Sequence, residues 1–400
     1  NRKTYYLDAK IIQTEQTDLS LFANYRETEN AFSENQKALN SRVIYNQRFF
    51  KNFITLGTSY ETSSGNVAQQ DFIYVEVEAG QGFYTWIDYN DNGIQEFDEF
   101  EIAEFQDQAN FLRVPLPNLQ FIATQSAKIN QSITLNANQW SNKTGLKKVL
   151  SHFYNQFFLS SRNELERARN SFNLNPFNMS KDQQISVNFT IKNSLYFNRG
   201  LQNFSATYTY AKAENKQQYS IGSQDTDTNY QQIDFQHKIS KFWLIDLQGK
   251  LSENKLETEN FNNRNYEIDV IAFQPKISYV LNNDNRFAAF YHMKNKENTL
   301  AEFEKLKQQK IGIEYFYTGK STSQFNANFT TFFNDFSGNP NSPVGYQMLE
   351  GLQEGTNYTW TFLWNKKLNS FLNVNLNYKG RKSLNSKTIH TGTINLKAVF

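Results

Sequence analysis

The sequence contains no cysteine. A disulfide framework is excluded, which suits a secreted or envelope protein that needs none. No apolar run reaches the roughly 18 residues that a helical membrane span requires, so helical spans are excluded as well. Charge of either sign is scarce in excess: 41 Lys and Arg stand against 39 Asp and Glu, for a formal net charge of +2. No basic block stands out that would track a nucleic-acid backbone, and no nucleic-acid partner is expected. Glycine-rich phosphate loops and zinc-ligand spacings are missing too. Apolar residues make up 38%, thin provision for a soluble core in a chain of 400 residues. The chain opens on NRKTYYLDAK, without an initiator methionine or a signal peptide, and is expected to be a mature or partial chain whose export signal lies outside it.

Aromatic residues are abundant instead, at 16%, with 36 Phe and 22 Tyr. Low hydropathy with many aromatics is expected where one side of each strand faces lipid and the other faces water. Period-two alternation runs along the chain accordingly. Phe204, Ala206, Tyr208 and Tyr210 alternate with Ser205, Thr207 and Thr209, and Ile185, Val187, Phe189 and Ile191 alternate with Ser186, Asn188, Thr190 and Lys192. Tyr358, Trp360, Phe362 and Trp364 share one face, as do Leu372, Val374, Leu376 and Tyr378 opposite Asn373, Asn375, Asn377 and Lys379. Further ribbons start near Tyr5, Leu19, Ile54, Ser132, Trp243, Phe287, Ile311 and Phe325. The whole reads as an all-β chain forming one transmembrane antiparallel up-and-down β-barrel over residues 1–400, of about 18 strands (range about 16–20) in the outer membrane of a Gram-negative bacterium. Pro275 interrupts the alternation and is expected at a bulge or strand end.

Connection lengths predict the orientation. Counting back from the C-terminus, the connections near 380–390, 335–356, 296–307, 253–265 and 212–229 read as long, and those between them as short. Outer-membrane barrels pair long extracellular loops with short periplasmic turns in this way. The chain closes on TINLKAVF, with Ile394, Leu396, Ala398 and Phe400 on one face. That ending is expected to serve as the signal read by the barrel-insertion machinery, with outer-membrane lipid as the surrounding partner.

One stretch has metal-binding spacing. DYNDNGIQEFDEFE at 88–101 places Asp88, Asn90, Asn92, Glu96 and Glu99 at positions 1, 3, 5, 9 and 12 of a loop, with Gly93 at the sharp turn and the Ile94 carbonyl at position 7. Six or seven oxygens at that spacing wrap a structural calcium ion better than magnesium, which resists full dehydration. Gln95 stands where such loops usually carry an apolar residue, and GFYTWI before the loop reads as a strand, so the site is closer to extracellular calcium loops than to a helical sensor. An acidic, Asn-rich surface turn would show the same residues. The loop lies in an expected extracellular insertion at about 84–118.

Catalysis finds little support. Of His152, His237, His292 and His390, only His390 falls near an expected outer loop, beside Ser383 and Ser386, and no carboxylate is paired with it in sequence. No enzyme activity is expected. Trp86, Trp140, Trp243, Trp360 and Trp364 read as membrane-interface girdle residues rather than a sugar path.

Two stretches carry a resemblance. GFYTWIDYNDNGIQEFDEFEIAEFQDQANFLRV (82–114) and residues 345–400, with MLEGLQ, NYTW, GRKS and HTG, resemble the C-terminal regions of large, mostly uncharacterised outer-membrane proteins of Bacteroidota. The resemblance implies a barrel at the end of a larger chain, and no substrate or catalytic residue. The expected role is non-enzymatic: a membrane-embedded component of an envelope assembly, secretion or transport complex, with lipoproteins or other barrels as subunits. A diffusion pore, or a surface adhesin with calcium-stiffened loops, is the alternative. SPVGYQMLEGLQEG at 342–355 is apolar enough, through Val344, Tyr346, Met348, Leu349 and Leu352, to pack inward as a plug or against a partner; a solvated loop with a short helix would read alike.

Overall fold

A computed structural model describes residues 1–29, 36–68, 71–116, 121–167, 172–177, 183–201, 203–282, 284–319, 323–369, 371–384 and 386–398. The strands are β1 (Arg2–Gln13), β2 (Thr17–Thr28), β3 (Gln36–Phe49), β4 (Ile54–Ala68), β5 (Phe72–Glu76), β6 (Tyr84–Trp86), β7 (Phe100–Ile102), β8 (Phe111–Pro115), β9 (Phe121–Asn136), β10 (Phe153–Glu166) and β11 (Gln184–Phe197). They continue as β12 (Phe204–Tyr219), β13 (Gly222–Lys238), β14 (Trp243–Thr258), β15 (Tyr266–Val280), β16 (Asn285–Asn298), β17 (Lys305–Gly319), β18 (Ser323–Ser337), β19 (Gly355–Lys367), β20 (Leu372–Ser383) and β21 (Ile389–Ala398). Two short helices, α1 (Leu146–Leu150) and α2 (Pro343–Leu349), lie in connections.

Among the described residues, 17 strands form one up-and-down sheet in which every neighbour pair is antiparallel. β4 pairs directly with β9, so β5 to β8 stand apart as a separate four-stranded sheet in the order β5-β8-β6-β7. β1 and β21 are the two edges. Because direction reverses at each step and the count is odd, the edge strands run the same way.

The two faces of the sheet differ in what covers them. The face carrying Ile268, Val270, Leu306 and Phe336 is covered by α2 and is the inner one. On the opposite face, β14 presents Trp243, Ile245, Leu247, Gly249 and Leu251, and the registered residues of β15 run Tyr279, Ile277, Pro275, Phe273 and Ile271. Phe287, Ile311, Ile313 and Phe329 continue this exposed face over β16 to β18. From Trp243 to Leu251 is about 27 Å along a strand rising ~3.4 Å per residue, which at a tilt of about 35–45° spans roughly 19–22 Å, most of a lipid-facing band of about 25 Å. Trp243 and Tyr279, 4.9 Å between ring centroids, mark its edge. The architecture is that of an outer-membrane barrel wall, and the apolar outer band accounts for a chain poor in hydrophobic residues.

Three expectations are corrected. Residues 212–229 are not a long loop: β12 and β13 run on through them to a two-residue turn at 220–221, with Tyr219 facing Gly222. The outward residues there, Lys212, Glu214, Asp225 and Asp227, are charged because the strands have left the apolar band, and with Asn215, Thr226 and Thr228 on the other face no apolar face marks the strand in hydropathy. Pro275 lies within β15 and causes no bulge. Register with β16 is identical on either side of it, from Phe273 opposite Met293 to Lys276 opposite Phe290, so the missing N–H removes a donor without shifting the strand. The insertion is wider than 84–118, since its sheet runs from Phe72 to Pro115. Length asymmetry between the ends also has an exception. Connections 14–16, 50–53 and 239–242 are short, but 137–152 at that same end carries α1.

Candidate functional site

The end of the barrel bearing the insertion is covered by two segments, and α2 lies deeper. Ser342 caps the helix, accepting from the Gly345 N–H at 3.0 Å, and Pro343 follows where the first turn needs no N–H. Val344, Met348 and Leu349 bury themselves against Ile268, Val270, Leu306 and Phe336 of the wall. The helix ends at Glu350 with φ 56°, a left-handed conformation that costs a non-glycine residue roughly 1–2 kcal/mol.

That conformation delivers the Glu350 carboxylate to three lysines. Lys294 Nζ lies at 2.6 Å, Lys296 Nζ at 2.9 Å and Lys310 Nζ at 3.6 Å. Lys294 and Lys296 are two residues apart on β16 and share the inner face, while Lys310 comes from β17. Lys296 also donates to the Met348 carbonyl at 2.9 Å, satisfying one of the open carbonyls at the end of α2. Burial alone would push the Glu350 carboxyl up, but Lys296, Lys294 and Lys310 together hold it well below the usual carboxylate range. Gln308 stands on the same face of β17, directly across from Lys294, fully buried, and neither end of its amide has a hydrogen-bond partner.

The second cover is the small sheet. Its core is aromatic: Tyr74 stacks on Phe100 at 3.9 Å, and Phe111 meets Phe100 edge-on at 5.1 Å. Burial pushes the Tyr74 hydroxyl up to about 12. Gly82 is required there, because a Cβ would fall 2.5 Å from the Phe111 backbone. The sheet meets the barrel mainly through polar pairs. Arg264 donates to Glu101 at 2.9 Å, Asn263 to Asp98 at 2.7 Å, and Arg381 to Asp107 at 2.5 Å while lying over the Phe105 ring. Burial pushes the Glu101 carboxyl up to about 7 despite the opposing pull of Arg264. Tyr346 joins the two covers, its hydroxyl donating to the Ile102 carbonyl and accepting from the Glu104 N–H, each at 3.2 Å.

The expected calcium ligands are divided by the fold. Asp88 accepts from the Asn92 and Gly93 N–H groups at 3.1 and 2.8 Å, Asn92 accepts from Ile94 at 2.6 Å, and the Asn90 amide donates to Glu96 at 2.7 Å. Gly93, at φ 72°, makes the sharp turn that the spacing predicts. Glu99 is buried beneath, accepting from the Trp86 indole at 2.8 Å and the Tyr89 N–H at 3.2 Å. Among the described residues, no three His, Cys, Asp or Glu side chains gather as a metal-holding group.

Other singled-out residues are also placed. The His390 ring pairs with the Tyr378 hydroxyl at 2.7 Å, Ser383 Oγ donates to Asn357, and Ser386 Oγ donates to the Ser383 carbonyl, so His390 is engaged apart from the two serines. Trp86 belongs to the small sheet and Trp140 stacks on Phe53 at 4.8 Å beside the 50–53 turn, whereas Trp243 lies on the exposed face. Ile394 and Leu396 face outward and are exposed, as is Ala398, while Phe400 lies outside the described residues. Sequence reading missed the lysines, Glu350, Gln308, Arg264 and Arg381. The one available signal was the pair Lys294 and Lys296 at strand spacing on β16.

No family model matches the chain, and no curated protein matches it. Among solved structures it is similar to the alcaligin outer-membrane receptor FauA of Bordetella pertussis, at 10% identity over 99% of this chain and 62% of that one, TM-score 0.46. The FrpB iron transporter of Neisseria meningitidis is similar at 10% identity over 95% of this chain and 60% of the other, TM-score 0.45. An anion-selective porin of Comamonas acidovorans is similar at 9% identity over 84% and 90%, TM-score 0.27. The chain spans about three-fifths of the length of the receptor and transporter chains it matches.

Proposed function

We propose that this chain is a non-enzymatic outer-membrane β-barrel with a closed mouth, serving as the membrane-embedded component of an envelope assembly, secretion or transport complex. The observation that carries the reading is the inward seat of α2, with Met348 fully buried on the wall and Glu350 held by three lysines. An apolar patch on the inner face has no use in a permanently open aqueous lumen, where inward residues are polar. The edges support membership of something larger. β1 and β21 run in the same direction, so antiparallel closure takes an odd number of further strands, which another part of the polypeptide or a partner would supply. The loop at Asp88–Glu99 is read as a calcium loop that stiffens the small sheet.

Two measurements test this. Purified protein in planar bilayers should show no steady conductance; a stable open channel would favour the second reading, a diffusion pore. Extraction from outer membranes in mild detergent should bring down lipoproteins or other barrels in fixed ratio, and a solitary barrel would overturn the complex.

A further inference from the structure

Three lysines around one carboxylate leave an excess of positive charge on the inner face, and Lys296 keeps only 9% of its side-chain surface exposed. Besides that excess there is an unused hydrogen-bonding group. Gln308 is buried to 0% exposure beside Lys310 and across from Lys294, with a free N–H pair and a free carbonyl. A third observation concerns the occupant. Glu350 adopts a left-handed backbone that glycine would take without strain, and Gly351 follows immediately, also left-handed. The strained residue is the one whose side chain fills the lysine cluster.

From these we infer that Lys294, Lys296, Lys310 and Gln308 form an oxyanion-binding site for a carboxylate- or phosphate-bearing solute, and that Glu350 is its built-in occupant. The lysines supply charge and the Gln308 amide supplies a directed donor, a set that suits either oxyanion. A solute group entering the site displaces the Glu350 carboxylate, and α2 then loses the pairing that fixes its C-terminal end. Ligand entry and retraction of α2 are thus one equilibrium, because the site favours whichever carboxylate or phosphate competes best. This rests on the reading of α2 as an inward cover.

None of these 400 residues is a cysteine, so an introduced one reports on its own position among them. Met348→Cys, or Leu349→Cys as a second probe should the first disturb folding, is labelled with a membrane-impermeant maleimide in the full-length protein. The parent probe should be protected. Inorganic phosphate should raise its labelling rate several-fold over chloride at equal ionic strength, and adding Glu350→Gln should raise it about tenfold without phosphate. In a Lys294→Gln/Lys310→Gln background the phosphate-to-chloride ratio should fall to one, whatever the basal rate. Free labelling of the parent at both positions would overturn the inward cover itself. A protected parent that responds neither to Glu350→Gln nor to phosphate would overturn the oxyanion site while leaving the cover standing.

Discussion

The two covers of the mouth are held by different forces. α2 has seven residues, too few to be helical alone, and owes its form to the wall it packs on. Its apolar residues share one cluster with those of β15, β17 and β18. The small sheet keeps its apolar residues to itself, in the Tyr74–Phe100–Phe111 stack, and gives the barrel its polar ones. Its main exception is Phe72, which meets Tyr219 of the β12–β13 hairpin at 5.6 Å with Arg113 over both rings. One cover is therefore part of the barrel's own core, and the other is a body that folds within itself and docks.

Substitutions in the two cores should separate them. Phe100→Ala should cost the small sheet about 3–5 kcal/mol, the range for truncating a buried aromatic. Protease should then cut within 72–115 while the wall remains resistant; equal loss of the wall would mean that the sheet is no separate body. Met348→Ala should cost about 2–5 kcal/mol by the same reasoning. Here the loss should fall on residues 338–354, with cleavage there and an intact Tyr74–Phe100 core. If α2 stays protected, the lysines alone hold it.

How much of this was legible follows from where the faces obey a rule. Strands β14 to β21 were plain because Trp243 to Leu251 and Leu372 to Tyr378 keep an apolar residue at every second position over most of the lipid-facing band, Gly249 excepted. Strands β12 and β13 became illegible above the lipid. Lys212 and Asp227 face out there, so no apolar face marks the continuation. Illegibility had the opposite cause at α2. Ile268 and Val270 are apolar on the inner face and Ile271 and Phe273 on the outer, and a segment apolar on both sides hides which face is in. The pairing of Lys294 with Glu350 joins residues 56 positions apart on a strand and a loop, and no local pattern encodes it. Within the loop at 88–99 the turn was legible from Asp88 and Gly93, but the commitment of Glu99 to Trp86 depends on β6 and β7 lying side by side.

Acidity sharpens the comparison, because the two covers carry carboxyls shifted in opposite directions. Glu101, at the docking contact of the small sheet, is raised to about 7 by burial. The folded form holds its proton more tightly than the unfolded one, so its contribution is full below the ordinary carboxylate range and fades as pH rises through about 7. Glu350 is lowered, with Lys294, Lys296 and Lys310 facing it and Glu104 near by. Its contribution is present above the ordinary carboxylate range and is lost only as pH falls below it. Between pH 5 and pH 7, hydrogen exchange in the small sheet should therefore quicken beyond its intrinsic pH dependence, while exchange in α2 should not. Equal quickening in both would mean that one contact governs the two covers.

The smallest effect concerns calcium, and it bears on the docked body alone. Extracellular calcium loops bind at about 10⁻⁴–10⁻³ M, so about 1 mM calcium gives a concentration one to ten times the dissociation constant and roughly 0.4–1.4 kcal/mol of stabilisation. The geometry supplies its own reporter. Glu99 accepts from the Trp86 indole, so for its carboxylate to join Asp88 and Asn92 around an ion it must release that N–H. Calcium should change tryptophan emission, and Trp86→Phe should remove the change although Trp140, Trp243, Trp360 and Trp364 remain. Asp88→Ala should abolish both the emission change and any protection of 72–115 from protease. Protection that survives in Asp88→Ala would place the ion elsewhere. Protection without an emission change in the parent would mean that Glu99 stays with Trp86, and that the ion is held by the outer oxygens of the turn alone.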